Sequence, residues 1–245
     1  MDSTNTQAKR LGEEDAENGT VVIAEQQTAG KGRRGKTWVS PLGNCYFTVL
    51  LRPDVHADRA SMITLISALA LAQAIEKVMD LETMIKWPND VIASGKKLCG
   101  ILTESSSDLE YINYVVVGIG VNCNQTEFPE EIREIASSIC LETGRTVDRT
   151  RLLAEFFNCF EVCYETFLET EDLQGLVEDY NARLINRGKE VKIVEKEKET
   201  VLKHPFIRSV VSSVKFIGRT SVCSFFRNMR ITDFREIPVF FVFRF

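Results

Sequence analysis

Histidine is nearly absent from the sequence: His56 and His204 are the only two, and neither stands in a motif. That scarcity argues against histidine-ligated metal sites and against Ser–His–Asp hydrolysis. The seven cysteines are odd in number and contain no C-x-x-C pair, so neither a disulfide framework nor a zinc site is indicated. A reducing, cytoplasmic setting is the simplest expectation. Long apolar runs are missing too. The uncharged stretch from Ala60 to Ile75 is too short for a bilayer and is broken by Ser61, Thr64, Ser67 and Gln73, so no membrane association is expected. The opening Met1-Asp2-Ser3-Thr4-Asn5 is polar and lacks the pattern of a signal peptide.

What is present fits a folded chain. With 245 residues, 44% hydrophobic and 27% charged, it suits one large domain or a domain with a small appendage. The net charge of -5 conceals a division. Residues 206–245 carry +5 and hold nine of the 15 phenylalanines, whereas the remainder carries -10. Composition therefore shifts near Lys203.

The pattern of side chains predicts a helix from Ser3 or Thr4 to about Glu17, and strands at Thr20–Glu25 and Asn44–Leu51. A long apolar helix follows at Asp58–Met79, then a short strand at Met84–Trp87 stopped by Pro88. Val91–Ala93 and Leu98–Thr103 flank Ser94-Gly95-Lys96 like a hairpin, and Tyr111–Val117 runs as a strand into a glycine turn. Helices are expected at about Glu130–Ser137, Arg149–Leu168 and Asp172–Ile185, with a strand at Glu190–Val194. Hairpin connections among the strands make the sheet mixed, and the fold class α+β.

Four motifs carry chemistry. Gly30-Lys31-Gly32-Arg33-Arg34-Gly35-Lys36, followed by Trp38, places four cations among three glycines. Glycines let backbone N–H groups approach an anion closely, and cations at this density suit a polyphosphate or acyl phosphate. A solvated basic loop or a nucleic-acid patch would look the same, although the acidic body disfavours the latter. Lys86-Trp87-Pro88-Asn89-Asp90 is a turn displaying a cation, an amide and a carboxylate. It could hold Mg²⁺, orient or deprotonate an amine, or simply close a hairpin. Lys97 enters an otherwise apolar strand, which suits either a bound anion or a guarded sheet edge. Gly118-Ile119-Gly120-Val121-Asn122 is a strand reaching glycines.

In this order the motifs resemble the catalytic domain of biotin–protein ligases, also called holocarboxylase synthetases. Asp2-Ser3-Thr4-Asn5 is similar to the family's D-S-T-N segment, and Glu25 to Trp38 to its E-x-Q-x-x-G-R-G-R-x-G-R-x-W signature. K-W-P-N-D, K-L-x-G-I-L-x-E and G-I-G-x-N follow. Lys31 and Lys36 stand where arginine is commoner, which keeps charge but loses bidentate geometry. The resemblance spans residues 2 to about 193. It implies a class II synthetase-like catalytic domain over residues 1–186, with a remnant or divergent small SH3-like part over residues 187–245.

Such ligases join biotin to a lysine of a biotin carboxyl carrier protein or carboxylase in two steps. Biotin's carboxylate attacks the α-phosphate of ATP, giving biotinyl-5′-AMP and pyrophosphate, and the acceptor amine then displaces AMP. The resemblance assigns Arg33, Lys86, Asp90 and Lys97 to catalysis, with Asp90 acting on the acceptor amine and Lys86 as its charge partner. Ser3, Thr4, Asn5, Gln27, Lys31, Gly32, Arg33 and Lys97 fall to biotin. Lys31, Arg33, Arg34, Trp38, Asn89 and Asn122 fall to the nucleotide. ATP, Mg²⁺ carried mainly by ATP, and biotin are the implied small molecules, with no metal site of the protein's own.

The two ends depart from the family pattern. The family's segment before D-S-T-N has no counterpart ahead of Met1, so a strand is expected to be missing and no DNA-binding role is expected. After Gly188–Glu199 no SH3-like pattern continues, and Ile237–Phe245 is aggregation-prone if exposed. A homodimer is left open. Lipoate–protein ligase chemistry and a catalytically impaired biotin- or nucleotide-binding protein are the alternatives.

Overall fold

In a computed structural model of the chain, residues 1–108, 111–185 and 187 are described, together with the backbone of three strand segments at 190–195, 198–203 and 241–243. The strands are β1 (Val21–Ala24), β2 (Cys45–Leu51), β3 (Met84–Lys86), β4 (Asp90–Ala93), β5 (Lys96–Ser107), β6 (Ile112–Val121), β7 (Glu190–Glu195), β8 (Lys198–Lys203) and β9 (Phe241–Phe243). The helices are α1 (Thr4–Glu13), α2 (Met62–Met79), α3 (Ile139–Thr143), α4 (Arg149–Thr170) and α5 (Val177–Arg183). One sheet has the order β3-β4-β5-β6-β2-β1-β9, and β7 pairs with β8 apart from it. Ladders between strands run antiparallel. Parallel partners occur as the isolated bridges Ile85↔Leu184 and Lys97↔Ala136. The class is α+β, as expected.

Side-chain alternation divides the sheet into two faces. Val21, Ile23, Phe47, Val49, Ile101, Val115, Val117 and Ile119 lie in the large core with α2 and α4. Val22, Leu50, Tyr114 and Val116 face the other way, onto Ala8 of α1. α2 is apolar on nearly every side because it is sandwiched. With the turn before it, it is long and apolar enough to cross a membrane, yet 67% of that window is buried inside the fold. α4 lays an aromatic ladder against β2. Phe156 meets Phe47 edge-on at 5.1 Å, and Phe160 stacks between Phe156 and Tyr164.

The structure corrects three local expectations. α1 ends at Glu13 rather than near Glu17. Arg52 donates to the carbonyls of Gly12 and Ala16, and Asp15 turns the chain at φ 56°. Residues 130–137 form turns rather than a helix, because Ile135 and Ser137 exchange backbone hydrogen bonds with Lys97 at 2.8 and 3.0 Å. Gly118 and Gly120 lie within β6 instead of a turn. The hairpin at Ser94-Gly95 is as read, with both residues at positive φ, as a two-residue turn requires. The SH3-like part expected from residue 187 lies largely outside the described residues. β9 pairs with β1 along the outer edge of the sheet.

Candidate active site

The site lies on the α1 face, where β5 and β6 carry glycines. A Cβ on Gly118 would sit 1.8 Å from Asn5 Oδ1, and one on Gly120 would sit 2.5 Å from Trp38 Nε1. A Cβ on Gly100 would come within 2.9 Å of the Trp38 ring. These glycines therefore form a floor on which Asn5 and Trp38 rest, and only glycine permits the approach. That is what the G-I-G motif does here.

The basic loop is braced from its root. Arg149, at the start of α4, donates to Glu25 at 2.8 Å and to the carbonyl of Asn44 at 3.0 Å. Gln27 Oε1 accepts from the backbone N–H of Thr4 at 2.8 Å and from the Thr4 hydroxyl at 3.1 Å. It thereby satisfies one of the unpaired N–H groups that open α1, where Ser3 makes no side-chain cap. Gln27 Nε2 donates to Ser40 Oγ at 2.9 Å, and Ser40 donates to the carbonyl of Trp38 at 3.0 Å. The loop itself folds back through Lys31↔Thr37, with Gly32 N–H donating to Lys36 O at 2.7 Å. Lys31, Arg33, Arg34 and Lys36 are all exposed.

Two cations leave this pattern and converge. Arg33 Nη1 donates to Asn89 Oδ1 at 2.7 Å, and Asn89 Nδ2 is itself anchored on the carbonyl of Ile101 at 3.0 Å. The Trp87–Pro88 peptide before it is cis. Lys97 Nζ lies 2.7 Å from Asp90 Oδ1 and 5.2 Å from the centre of the Trp38 ring. Asp90 Oδ1 is buried and makes an ion contact there rather than an aligned hydrogen bond.

Three cavities meet at these residues. The first, of about 50 Å³, is bounded by Ser3, Thr4, Asn5, Gln27, Lys31, Gly32, Arg33, Trp38, Asn89 and Lys97 over the glycine floor. It is narrow because the Trp38 indole fills it, with Nε1 buried and unpartnered. The second, of about 540 Å³, runs between the start of α2, the 87–89 turn and residues 101–105 of β5. The third, of about 560 Å³, is lined by Gly32, Arg33, Arg34, Trp38, Asn89, Asp90, Lys97 and Asn122, with Phe128, Ile132 and Ile135 as its apolar wall. Arg33 and Asn89 border all three cavities.

Lys86 stands apart from this convergence. It is exposed and borders none of these cavities. It pairs with Asp90 across the β3–β4 ladder, but the cation in contact with Asp90 is Lys97. The expectation that Lys86 is the charge partner of Asp90 is therefore corrected: β5 brings Lys97 to the carboxylate first. Glu104, the last residue of K-L-x-G-I-L-x-E, carried no assigned role, and Thr48 and Ser40 lie outside the motifs; all three orient site residues. Glu104 follows Gly100 and Leu102 at strand spacing on one face, which was the available signal.

Among the described residues no group of three or more His, Cys, Asp or Glu side chains is placed to hold a metal. The six described cysteines are free. Burial pushes the Cys99 and Cys123 thiols up, so they are inert neutral groups rather than nucleophiles.

The chain as a whole matches known proteins in sequence and fold. The profile of the Biotin/lipoate A/B protein ligase family matches residues 1–122. The biotin–(acetyl-CoA-carboxylase) ligase of Paracoccus denitrificans is 37% identical over 174 residues, covering 68% of this chain and 72% of that protein. The chain belongs to the biotin–protein ligase family. A second relative, the bifunctional ligase/repressor BirA of Bacillus subtilis (strain 168), is 38% identical over 171 residues. That match covers 69% of this chain and 53% of BirA, so the chain spans about half the length of that relative. Among solved structures, the biotin protein ligase from Aquifex aeolicus in complex with biotin and ATP superposes with a TM-score of 0.71 at 32% identity. That superposition covers 82% of each chain. In this member of the family the basic loop, the 87–90 turn and Lys97 border shared cavities.

Proposed function

We propose that the protein activates biotin as biotinyl-5′-AMP and transfers it to a lysine of a biotin carboxyl carrier protein or biotin-dependent carboxylase. The observation that carries this reading is the convergence of Arg33 and Lys97 where the first and third cavities join. A carboxylate and a triphosphate repel each other, and cations fixed at their meeting point offset that repulsion. Biotin takes the first cavity, once Trp38 lifts from the glycine floor, and the nucleotide takes the third. Mg²⁺ enters with ATP as part of the substrate.

In the first step a biotin carboxylate oxygen attacks the α-phosphorus, and pyrophosphate leaves with the electron pair of the broken P–O bond. In the second, the acceptor amine attacks the anhydride carbonyl, AMP leaves, and the amine gives up its proton. Asp90 orients that amine in this reading. Arg33 and Lys97 stay beside the phosphate to stabilise the departing AMP. The second cavity shares Arg33 and Asn89 with the other two. Residues 1–186 supply the body of the catalytic unit in this reading; β7 and β8 of the 187–245 part pair apart from it, whereas β9 joins its sheet. The buried free thiols suit a reducing compartment such as the cytoplasm.

The test is to incubate the protein with biotin, MgATP and an apo carrier domain and to map the product by mass spectrometry. One biotinyl group on one carrier lysine is expected. An unmodified carrier, or equal modification with lipoate in place of biotin, would refute the reading.

A further inference from the structure

The Asn5 side chain is held in one orientation by three hydrogen bonds. Its amide carries two N–H donors and an oxygen with two acceptor sites. Nδ2 donates to the carbonyl of Leu102 at 3.2 Å and to Glu104 Oε2 at 3.0 Å, which uses both donors. Oδ1 accepts from Thr48 Oγ1 at 2.7 Å and keeps one acceptor site open. That oxygen rests directly over Gly118, in the floor of the first cavity.

Turning the amide over would keep Thr48 satisfied, since a hydroxyl can accept as well as donate. It would, however, bring Oδ1 against Leu102 O and the Glu104 carboxylate. Glu104 is therefore the charged partner that makes the turned amide costly, and Lys9 Nζ secures its other oxygen at 3.2 Å. Gln27 is fixed in the opposite sense. Its oxygen is taken by Thr4 and one N–H by Ser40, which leaves one N–H donor. The Ser3 hydroxyl makes no cap hydrogen bond to α1, and Ser3 borders the same cavity. The cavity therefore offers one fixed acceptor and separate donors. A cyclic urea, with an N–H beside a C=O, complements that set. A dithiolane ring or an ester-like ring does not.

We propose that Glu104 is a positioning residue for head-group specificity: it locks the Asn5 amide so that an acceptor oxygen faces the substrate's ureido N–H. Glu104 itself lies outside the cavity lining and acts through Asn5. The inference rests on the biotin reading above and names a residue that reading does not need.

The test uses the full chain and biotin-dependent pyrophosphate release, with an apo carrier domain in excess so that the enzyme turns over. Parent and Glu104→Gln are compared on biotin and on a cyclic carbamate analogue, in which oxygen replaces the ureido N–H. In the variant, Lys9 claims the remaining carbonyl oxygen and the new amide N–H turns toward Asn5, which favours the flipped orientation. The KM for biotin should rise about tenfold, and the preference for biotin over the carbamate should shrink by a similar factor, as for a hydrogen bond exchanged for a mismatched pair. The kcat at saturating biotin should stay near the parent value. Parental KM and parental preference in a folded Glu104→Gln protein would overturn the assignment. If that variant does not hold its fold, Glu104→Ala carries the same two readouts. Absence of biotin-dependent release in the parent would instead remove the reading beneath it.

Discussion

The ammonium of Lys97 lies 2.7 Å from a carboxylate oxygen of Asp90, and the same ammonium stands over the Trp38 ring at 5.2 Å. The cation proposed for adenylation and the carboxylate proposed to act on the acceptor amine are thus one ion pair. Each side chain is half-buried and holds the other in place. Effects of replacing them should be coupled rather than additive.

Replacing Lys97 by Ala should lower adenylate formation by about 10²–10³-fold, the scale of removing one donor from a site of developing negative charge. The fold should survive, because the backbone bridges of Lys97 to Ile135 and Ser137 do not involve its side chain. Single-turnover pyrophosphate release checks this. Adenylation at the parent rate would remove Lys97 from the chemistry.

Asp90→Asn keeps the shape of the side chain but not its charge, so transfer should suffer more than adenylation. Because Asp90 also holds Lys97, adenylation should fall too, by a smaller factor. Supplying preformed biotinyl-AMP isolates the second step. If transfer from it ran at the parent rate, Asp90 would be left with the positioning of Lys97 alone.

The two floor glycines should respond differently to alanine. At Gly118 the new methyl would collide with Asn5, a buried side chain held by three partners, and the expected loss is about 1–3 kcal/mol of stability. At Gly120 the collision is with Trp38, half-buried on the loop and free to swing outward. Gly120→Ala should therefore keep the parent's urea midpoint and lose biotin affinity instead. Equal midpoints for the two variants would contradict this division.

Glu104 also predicts a pH dependence of stability. Burial works against its charge, but the Asn5 amide, the Lys9 ammonium and the field of Lys31 outweigh it and hold the carboxyl below the ordinary range. A folded-state value below the unfolded one, about 4.3, gives stability that is fully present above that pH. It is lost as pH falls through the folded value. The gap in urea midpoint between parent and Glu104→Gln should be widest near neutrality and close in acid. A gap independent of pH would show that the charge of Glu104 contributes nothing.

Much of the site was legible because its parts are local. The glycines and cations of residues 30–36, the stop imposed by Pro88 and the lysine entering β5 are each visible within a few residues. Relations set by long-range pairing were not. That Lys97 rather than Lys86 meets Asp90 depends on β5 lying beside β4 with a register shift between Val91 and Ile92. Residues 130–137 have helical spacing, yet Lys97 captures Ile135 and Ser137 and draws that segment into a bridge. Gly118 and Gly120 read as a turn because glycine usually marks one. Their role appears only once Asn5 and Trp38 arrive from distant segments. Asn5 and Gln27 are expected to meet biotin, but no local pattern reveals that most of their hydrogen-bonding capacity is spent on orienting each amide.

The most direct measurement is pyrophosphate release from MgATP by the full chain, with biotin, with lipoate and with neither, in the absence of any carrier. The account predicts one equivalent released promptly per protein with biotin alone, followed by a halt until an acceptor lysine is supplied. No biotin-dependent burst, or an equal burst with lipoate, would contradict it.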